Sequence, residues 1–148
     1  MGLDEWLRQG RLRQHRPSLQ ELEDLLGLAD RSLADARVEG VSADGRFSAA
    51  YTAALSLATI PLCILGYRTR GTGHHALTFA SLAETLGPDC AEFARYLNLC
   101  RSKRNETEYR RAGTIQEAAV AELIEVVTEL RALVEAWLGE RQSPPDAP

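Results

Sequence analysis

Residues 47–67, FSAAYTAALSLATIPLCILGY, form a stretch of 21 residues without a charged side chain. The stretch is long enough to cross a membrane, but its alanine, serine, threonine, tyrosine and Pro61 dilute its hydrophobicity. A helix without a charged face is also typical of the centre of a helical bundle. We therefore predict a buried core helix in a soluble domain rather than a membrane span. We expect it to begin at Asp44, to run to Gly66, and to kink or end early at Pro61, which has no backbone N–H to donate.

The segments around this stretch have the periodicity of amphipathic helices and clear start signals. Ser18 precedes Glu21 by three positions, which is the spacing of a capping hydroxyl and its supporting acid. The predicted helices are residues 18–40, 44–66, 75–86, 89–113 and a long one that begins at Thr114. No segment alternates in the way that strands do. The pattern predicts an all-α protein, a helical bundle of four to five main helices.

The chain of 148 residues is expected to form one domain with a basic segment before it and a short tail after it. Residues 1–17 are the basic segment, with room for a short helix around Trp6, and residues 18–141 are the bundle. Residues 142–148 contain three prolines and are expected to be disordered. Three cysteines without a CxxC spacing, together with the lack of a secretory leader, predict reduced thiols in the cytoplasm.

The net charge of −4 is unevenly distributed along the chain. Three segments are basic, namely RQGRLRQHR at residues 8–16, residues 67–75 with Arg68 and Arg70, and residues 101–111 with Arg101 and Lys103. Together they carry +9, and the rest of the chain carries −13. Basic patches on an acidic protein are candidate sites for phosphates and other anions. For the first segment, the alternative is a set of solvated terminal arginines.

Arg104 is the most informative residue of the helix predicted over residues 89–113. With about 100° of rotation per residue, Leu97, Cys100 and Arg104 all fall within about 40° of Phe93. An arginine on this apolar face must pair with a carboxylate, reach the helix end, or face a cavity or a partner subunit, because burying it alone would cost several kcal/mol. The alternative is that the apolar face ends at Cys100 and that Arg104 belongs to a solvated helix end.

The residues around Arg104 resemble a known family. RSKRNETEY at residues 101–109 is similar to the RxxRNxxxY signature of uncharacterised bacterial HEPN domain proteins. The run from Tyr51 to Arg70, followed by GTGHHALTF at residues 71–79, resembles the preceding part of such proteins, and the resemblance covers roughly residues 18–137. It implies a helical bundle that commonly dimerises. In the active members it implies a metal-independent ribonuclease with an Rx4-6H motif in a cleft at the dimer interface.

By this resemblance Arg104 matches the motif arginine, Asn105 the polar residue after it, and Tyr109 stands where catalytic members have histidine. Tyrosine titrates near 10, so it is a poor base at neutral pH, where histidine would be a good one. Tyr109 also falls about 140° from Arg104 on the helix, so a shared site would need an irregular turn or a second chain. His74 and His75 are the candidates to compensate, and our hypothesis is that one of them approaches Arg104 in the folded dimer. The alternative is that they only begin a helix.

The resemblance favours an HEPN-type protein that binds RNA or a nucleotide. The catalytic candidates are Arg104, Asn105 and Tyr109, and the nucleic-acid-binding candidates are Arg101, Lys103, Arg68, Arg70, His74 and His75. A metal-independent ribonuclease is the catalytic form of this hypothesis, as the toxin of a toxin–antitoxin or defence system whose partner is a nucleotidyltransferase antitoxin. The remaining alternative is a non-catalytic helical interaction and dimerisation module.

Two further expectations concern ligands and partners. A homodimer is expected from the resemblance and from the second surface that Arg104 requires. No cofactor and no catalytic metal are expected, because no HxxE or paired-carboxylate arrangement forms a convincing metal site in the sequence.

Overall fold

Helix α3, Ala43–Ile64, runs through the centre of the fold, and most of its side chains are buried. The structure is a computed structural model that describes residues 2–109 and 112–142; the side chains of residues 106–109 and 142 lie outside that description. α3 is long and apolar enough to cross a membrane, yet 67% of its most apolar window is buried inside the protein. This burial agrees with the predicted core helix of a soluble bundle.

The remaining elements surround α3. The other helices are α1, Leu3–Arg8; α2, Leu19–Ala36; α4, His74–Ala80; α5, Leu82–Thr85; α6, Ala91–Tyr109; and α7, Glu117–Gln142, with a 3-10 turn at Pro88–Cys90 before α6. Helices α2 and α7 pack extensively on α3, and α6 and α4 pack on it and on each other. The predicted all-α helical bundle is confirmed.

Local side-chain chemistry explains where two of the long helices begin. The Ser18 hydroxyl accepts a hydrogen bond from the Glu21 N–H at 3.0 Å, so the predicted start of α2 is confirmed. The predicted start of α3 at Asp44 is wrong, because Ser42 caps this helix by accepting from the Gly45 N–H at 3.1 Å. α3 also continues for one turn past Pro61 and ends at Ile64.

The helix predicted over residues 75–86 is two helices, α4 and α5, which is a correction. The break lies at Ser81, whose hydroxyl donates to the Thr78 carbonyl at 2.6 Å. Serine hydroxyls that bond to the preceding turn compete with the regular helical hydrogen bonds. α2 ends at Ala36 rather than near Gly40, and α6 is helical to Tyr109, with residues 110 and 111 outside the described part of the chain. The predicted tail was residues 142–148; Gln142 is the last residue of α7, and residues 143–148 lie outside the description.

Buried apolar side chains and two arginines hold the long helices together. The main hydrophobic cluster combines residues of α2, α3, α6 and α7. Arg131 of α7 donates from Nε to Asp30 Oδ1 of α2 at 2.9 Å, and this hydrogen bond holds the pKa of Asp30 below its usual value. Arg46 donates to the Ala36 carbonyl at 2.8 Å and to Glu117 at 2.6 Å, so it joins the ends of three helices.

A small antiparallel ribbon is the feature that we did not predict. Strand β1, Leu12–Gln14, pairs with β2, Tyr67–Thr69, with Arg13 opposite Arg68. Strands of three residues are too short to show an alternating pattern, so their pairing could not be detected in the sequence. Leu12, on β1, is 1% exposed and packs with Trp6, Leu62 and Leu77 in a second hydrophobic cluster. The basic N-terminal segment therefore folds onto the bundle.

Candidate functional site

Arg104 lies on the face of α6 that packs against α3. Its guanidinium carbon is 4.8 Å from the centroid of the Tyr51 ring, and its Nε donates to the Ser48 hydroxyl at 3.3 Å. The side chain is half-buried. The apolar face of α6 thus extends one turn beyond Cys100, and a guanidinium stacked on an aromatic face gains about 0.5 to 2 kcal/mol depending on its desolvation. The interpretation of Arg104 as part of a solvated helix end is therefore wrong.

Tyr51 connects Arg104 to the histidine pair. Its hydroxyl oxygen lies 3.0 Å from Nδ1 of His75, and its ring makes an edge contact with Phe79 at 5.5 Å between centroids. Only 1% of Tyr51 is exposed, so the surrounding core holds the ring and its hydroxyl in one orientation. The structure thus brings His75 and Arg104 to opposite parts of one buried tyrosine within a single chain.

The surroundings of His75 favour its neutral form. Burial lowers its pKa, and the charges of His74, Arg104 and Arg101 lower it further. The His74 ring lies beside it, with 4.4 Å between ring centroids, and is exposed at the start of α4. A neutral imidazole has one nitrogen that can accept a proton, and the hydrogen bond to Tyr51 decides which one. If Nδ1–H donates to the tyrosine oxygen, Nε2 carries the lone pair.

Arg101 is fixed near the same place by a short chain of hydrogen bonds. Its Nε donates to Asn98 Oδ1 at 3.2 Å, and Asn98 Nδ2 donates to the Ala76 carbonyl at 3.3 Å. Ala76 directly follows His75 on α4. Asn98 therefore positions both Arg101 and the histidine end of α4, and Arg101 adds a second cation to the site.

The other residues predicted on α6 are not brought to this point. Lys103 and Asn105 are exposed. α6 remains a regular α-helix to Tyr109, so the irregular turn that would aim Asn105 or Tyr109 at Arg104 is not found in its described backbone. The Tyr109 side chain lies outside the described residues, and its predicted role stays a prediction. Within the described residues the site consists of Arg104, Arg101, Tyr51, Ser48 and the two histidines.

Two of the three basic segments meet in the ribbon. Arg70 donates its backbone N–H to the Arg11 carbonyl at 3.0 Å, so the N-terminal arginines and the 67–75 segment form one surface. Arg70 is exposed, but Arg68 turns inward and donates to Glu21 Oε2 at 3.3 Å. The ribbon continues through Gly71–Gly73 into His74, and α4 packs against both β2 and α6. Arg68 is therefore engaged with Glu21, whereas Arg70 lies at the surface, four positions before His74 in the sequence.

Sequence reasoning missed Tyr51, Ser48 and Asn98. One signal was available, because Ser48 and Tyr51 are three positions apart in the uncharged stretch and therefore share a face of the helix. A buried tyrosine hydroxyl usually has a hydrogen-bond partner, so Tyr51 marked a polar contact in the core. Asn98 offered no comparable signal, because asparagine in a helix is most often solvated.

Among the described residues, the side chains with metal-ligand chemistry that lie close together are His15, Glu21 and Cys63. Cys63 is twelve residues from Tyr51 on α3, which corresponds to about 18 Å along the helix axis. The Arg104 site itself presents cations, a phenol and a hydroxyl, which suit an anion rather than a metal ion.

Comparisons with known proteins find no matching family model, no matching curated protein and no matching solved structure. The chemistry of the site is therefore argued from its own residues.

Proposed function

We propose that this protein binds RNA, or a nucleotide with comparable phosphates, at the surface formed by Arg104, Arg101 and the His74–His75 pair. The observation that carries the proposal is the half-buried guanidinium of Arg104, stacked on Tyr51 and joined through that tyrosine to His75. Membership of the HEPN family, which the sequence resemblance suggests, is part of this proposal.

A phosphate is the ligand that this arrangement suits best. A guanidinium has five N–H donors in a planar fork, which matches the geometry of phosphate oxygens. Partial burial strengthens such a bond, since fewer water molecules compete for it. Arg101 supplies a second charge, and its bond to Asn98 limits the entropy that it loses when a phosphate binds.

The ribbon of β1 and β2, with Arg70 and the N-terminal arginines beside it, would extend this binding surface along the nucleic acid. From the His74 end of α4, a phosphate backbone would continue past Arg70 to the N-terminal arginines of the ribbon. Phosphate contacts of this kind are independent of base sequence and give most of non-specific affinity. We therefore expect single-stranded RNA to bind with weak sequence preference.

Affinity for single-stranded RNA is expected to fall steeply with salt. If about four phosphates are neutralised, binding should weaken roughly 50-fold between 50 and 200 mM salt, because each contact releases a counterion. Fluorescence anisotropy with a labelled oligonucleotide measures this slope. Arg70→Gln should reduce it by about 0.7, whereas Arg31→Gln, an exposed arginine on α2, should leave it unchanged. If the affinity for RNA is independent of salt or undetectable, the RNA-binding proposal is wrong, and the non-catalytic interaction and dimerisation module remains.

A metal-independent ribonuclease is the second candidate, favoured by the neutral His75 beside Arg104. Nε2 of His75 would remove the proton from a 2′-hydroxyl, whose oxygen attacks the adjacent phosphorus and displaces the 5′ oxygen, which takes a proton from water. Arg104 would stabilise the negative charge that develops on the phosphate. His75 then fills the role that Tyr109, with its high ordinary pKa, is unsuited to fill.

Cleavage of RNA in the presence of a chelator tests this candidate. His75→Asn should lower the rate 100-fold or more, as expected for loss of a general base, and His74→Asn should change it only a few-fold. Because the pKa of His75 is lowered from 6.5, the base is neutral at pH 7; the rate should be flat at neutral pH and fall on acidification through that lowered pKa. If His75→Asn still cleaves RNA at the wild-type rate, His75 is not the general base. If the wild type does not cleave RNA, the protein is not a ribonuclease.

The partners remain proposals that rest on the resemblance. The second surface that Arg104 needs is supplied by α3 of the same chain, so this argument for a homodimer no longer applies. A homodimer, a nucleotidyltransferase antitoxin and a cytoplasmic location are retained as parts of the proposed toxin–antitoxin role. Growth arrest on expression, relieved by a neighbouring nucleotidyltransferase, is the result that this role requires.

A further inference from the structure

Three side chains with different donor atoms meet where the N-terminal segment joins the bundle. His15 follows β1, Glu21 lies in the first turn of α2, and Cys63 lies in the last turn of α3. His15 Nε2 is 2.7 Å from Glu21 Oε1, and the ligand atoms of all three residues lie within 4.8 Å of one another. Cys63 is far in the sequence from the other two residues, and only the fold brings it to them.

We propose that His15, Glu21 and Cys63 form a binding site for zinc or a similar borderline-soft divalent ion. An imidazole nitrogen, a carboxylate oxygen and a thiolate sulfur are the ligands that zinc takes in proteins, at about 2.0–2.3 Å. Magnesium and calcium prefer sites made of oxygen alone, so the donor set excludes them.

The observed spacing requires only small shifts to accept the ion. Bond lengths of about 2.0–2.3 Å in a tetrahedron place ligand atoms roughly 3.3–3.8 Å apart. The His15–Glu21 pair would open by less than 1 Å from its 2.7 Å contact, and Cys63 would approach by about 1 Å at most. Binding would release the Cys63 thiol proton to solvent, since the thiolate is the ligand.

The fourth coordination position has access to water. The side chains of His15 and Glu21 are 21% and 28% exposed, and His15 also lines a surface cavity of about 580 Å³. An ion can therefore enter from solvent and keep a water ligand on that side.

Arg68 would support the metal ligands by hydrogen bonds without binding the ion itself. Its Nη1 is 3.3 Å from Glu21 Oε2, the carboxylate oxygen farther from His15, and 3.7 Å from the Cys63 sulfur. Groups that hydrogen-bond to metal ligands orient them and tune their affinity. Arg68 can keep Oε2 and support the thiolate while Oε1 binds the ion, and the thiolate and carboxylate balance the charge of a divalent ion.

The ion would tie the N-terminal segment to the ends of α2 and α3. The site lies about 18 Å along α3 from Tyr51, and its three ligands are not among the residues to which the proposed function assigns RNA binding. The inference is therefore independent of the proposed function.

Titration of the full chain with cobalt(II) tests the site, because a cobalt–thiolate bond gives a near-ultraviolet charge-transfer band and a tetrahedral site gives visible bands. We expect these bands in the wild type, their displacement by zinc, and no effect of magnesium. Cys63→Ser should lose the charge-transfer band, and Cys90→Ser, which replaces another buried cysteine, should keep it. Zinc at about 100 times its dissociation constant should raise the melting temperature by roughly 5–10 °C in the wild type.

Circular dichroism establishes that each variant folds. If Cys63→Ser fails to fold, His15→Asn provides the second test, since this side chain is partly exposed and its loss should weaken cobalt binding tenfold or more. Absence of the bands in the wild type, their survival in Cys63→Ser, or unchanged affinity in His15→Asn would overturn the proposal.

Discussion

Replacing Arg104 with alanine is expected to lower the affinity for single-stranded RNA roughly 10- to 100-fold, because a charge-assisted bond to phosphate is worth about 1.5–3 kcal/mol. The effect should exceed that of any exposed arginine, since the Tyr51 ring and the Ser48 hydroxyl hold this guanidinium in place. Anisotropy at one fixed salt concentration measures it. Arg104→Lys should recover only part of the loss, because an ammonium cannot stack or bind in the bidentate way of a guanidinium.

Lys103→Ala is the matched control for Arg104. It lies one position earlier on α6, carries the same charge and is exposed. Its removal should cost only a few-fold in affinity and should leave thermal stability unchanged. Equal losses of RNA affinity in the two variants would mean that RNA binds through the overall positive charge of α6. The stacked guanidinium of Arg104 would then contribute no more than an exposed cation. If Arg104→Ala retains full affinity in a folded protein, the proposed site is wrong.

Replacing Leu57 with alanine is expected to reduce the free energy of unfolding by about 2–5 kcal/mol. Leu57 is 0% exposed and lies in the main hydrophobic cluster, on the helix that every other long helix contacts. Its truncation removes apolar contacts and leaves a cavity that close-packed neighbours can fill only in part. Because domains of this size are stable by about 5–15 kcal/mol, the loss would be a large fraction of the total.

Leu19→Ala provides the comparison for Leu57. Leu19 is the same residue type, also helical, but 72% exposed at the start of α2. Its replacement should change stability by less than about 0.5 kcal/mol. Urea denaturation followed by circular dichroism measures both variants, and the slope with urea should be similar in each. Comparable losses in the two proteins would show that α3 is not the centre of the core.

The sequence determined the elements whose formation depends on neighbouring residues. The uncharged stretch of residues 47–67 predicted the core helix because burial on every face excludes charge. Ser18 with Glu21 predicted the start of α2, since capping needs only residues within one turn. The helical spacing from Phe93 to Arg104 placed Arg104 on the buried face of α6, and the structure confirms that position.

Only the tertiary structure decided which distant residues meet. Helical periodicity tells which face of α6 is buried, but it contains no information on the helix that covers it. Tyr51 and His75 were therefore not linked to Arg104 by any local rule. The hypothesis brought one histidine near Arg104 in a dimer, whereas the structure joins His75 and Arg104 through Tyr51 within one chain. The break at Ser81 coincides with the hydrogen bond from its hydroxyl to the Thr78 carbonyl, and periodicity does not tell whether a serine hydroxyl makes such a bond.

The ribbon and the His15–Glu21–Cys63 group are further features that could not be predicted from local sequence. β1 and β2 are separated by more than fifty residues, and each is too short to have a strand pattern of its own. Their pairing became favourable only because the packing of Trp6, Leu12 and Leu62 brought the N-terminal segment to the end of α3. Local propensities act over a few residues along the chain, whereas burial of apolar surface acts between whatever segments the fold places side by side.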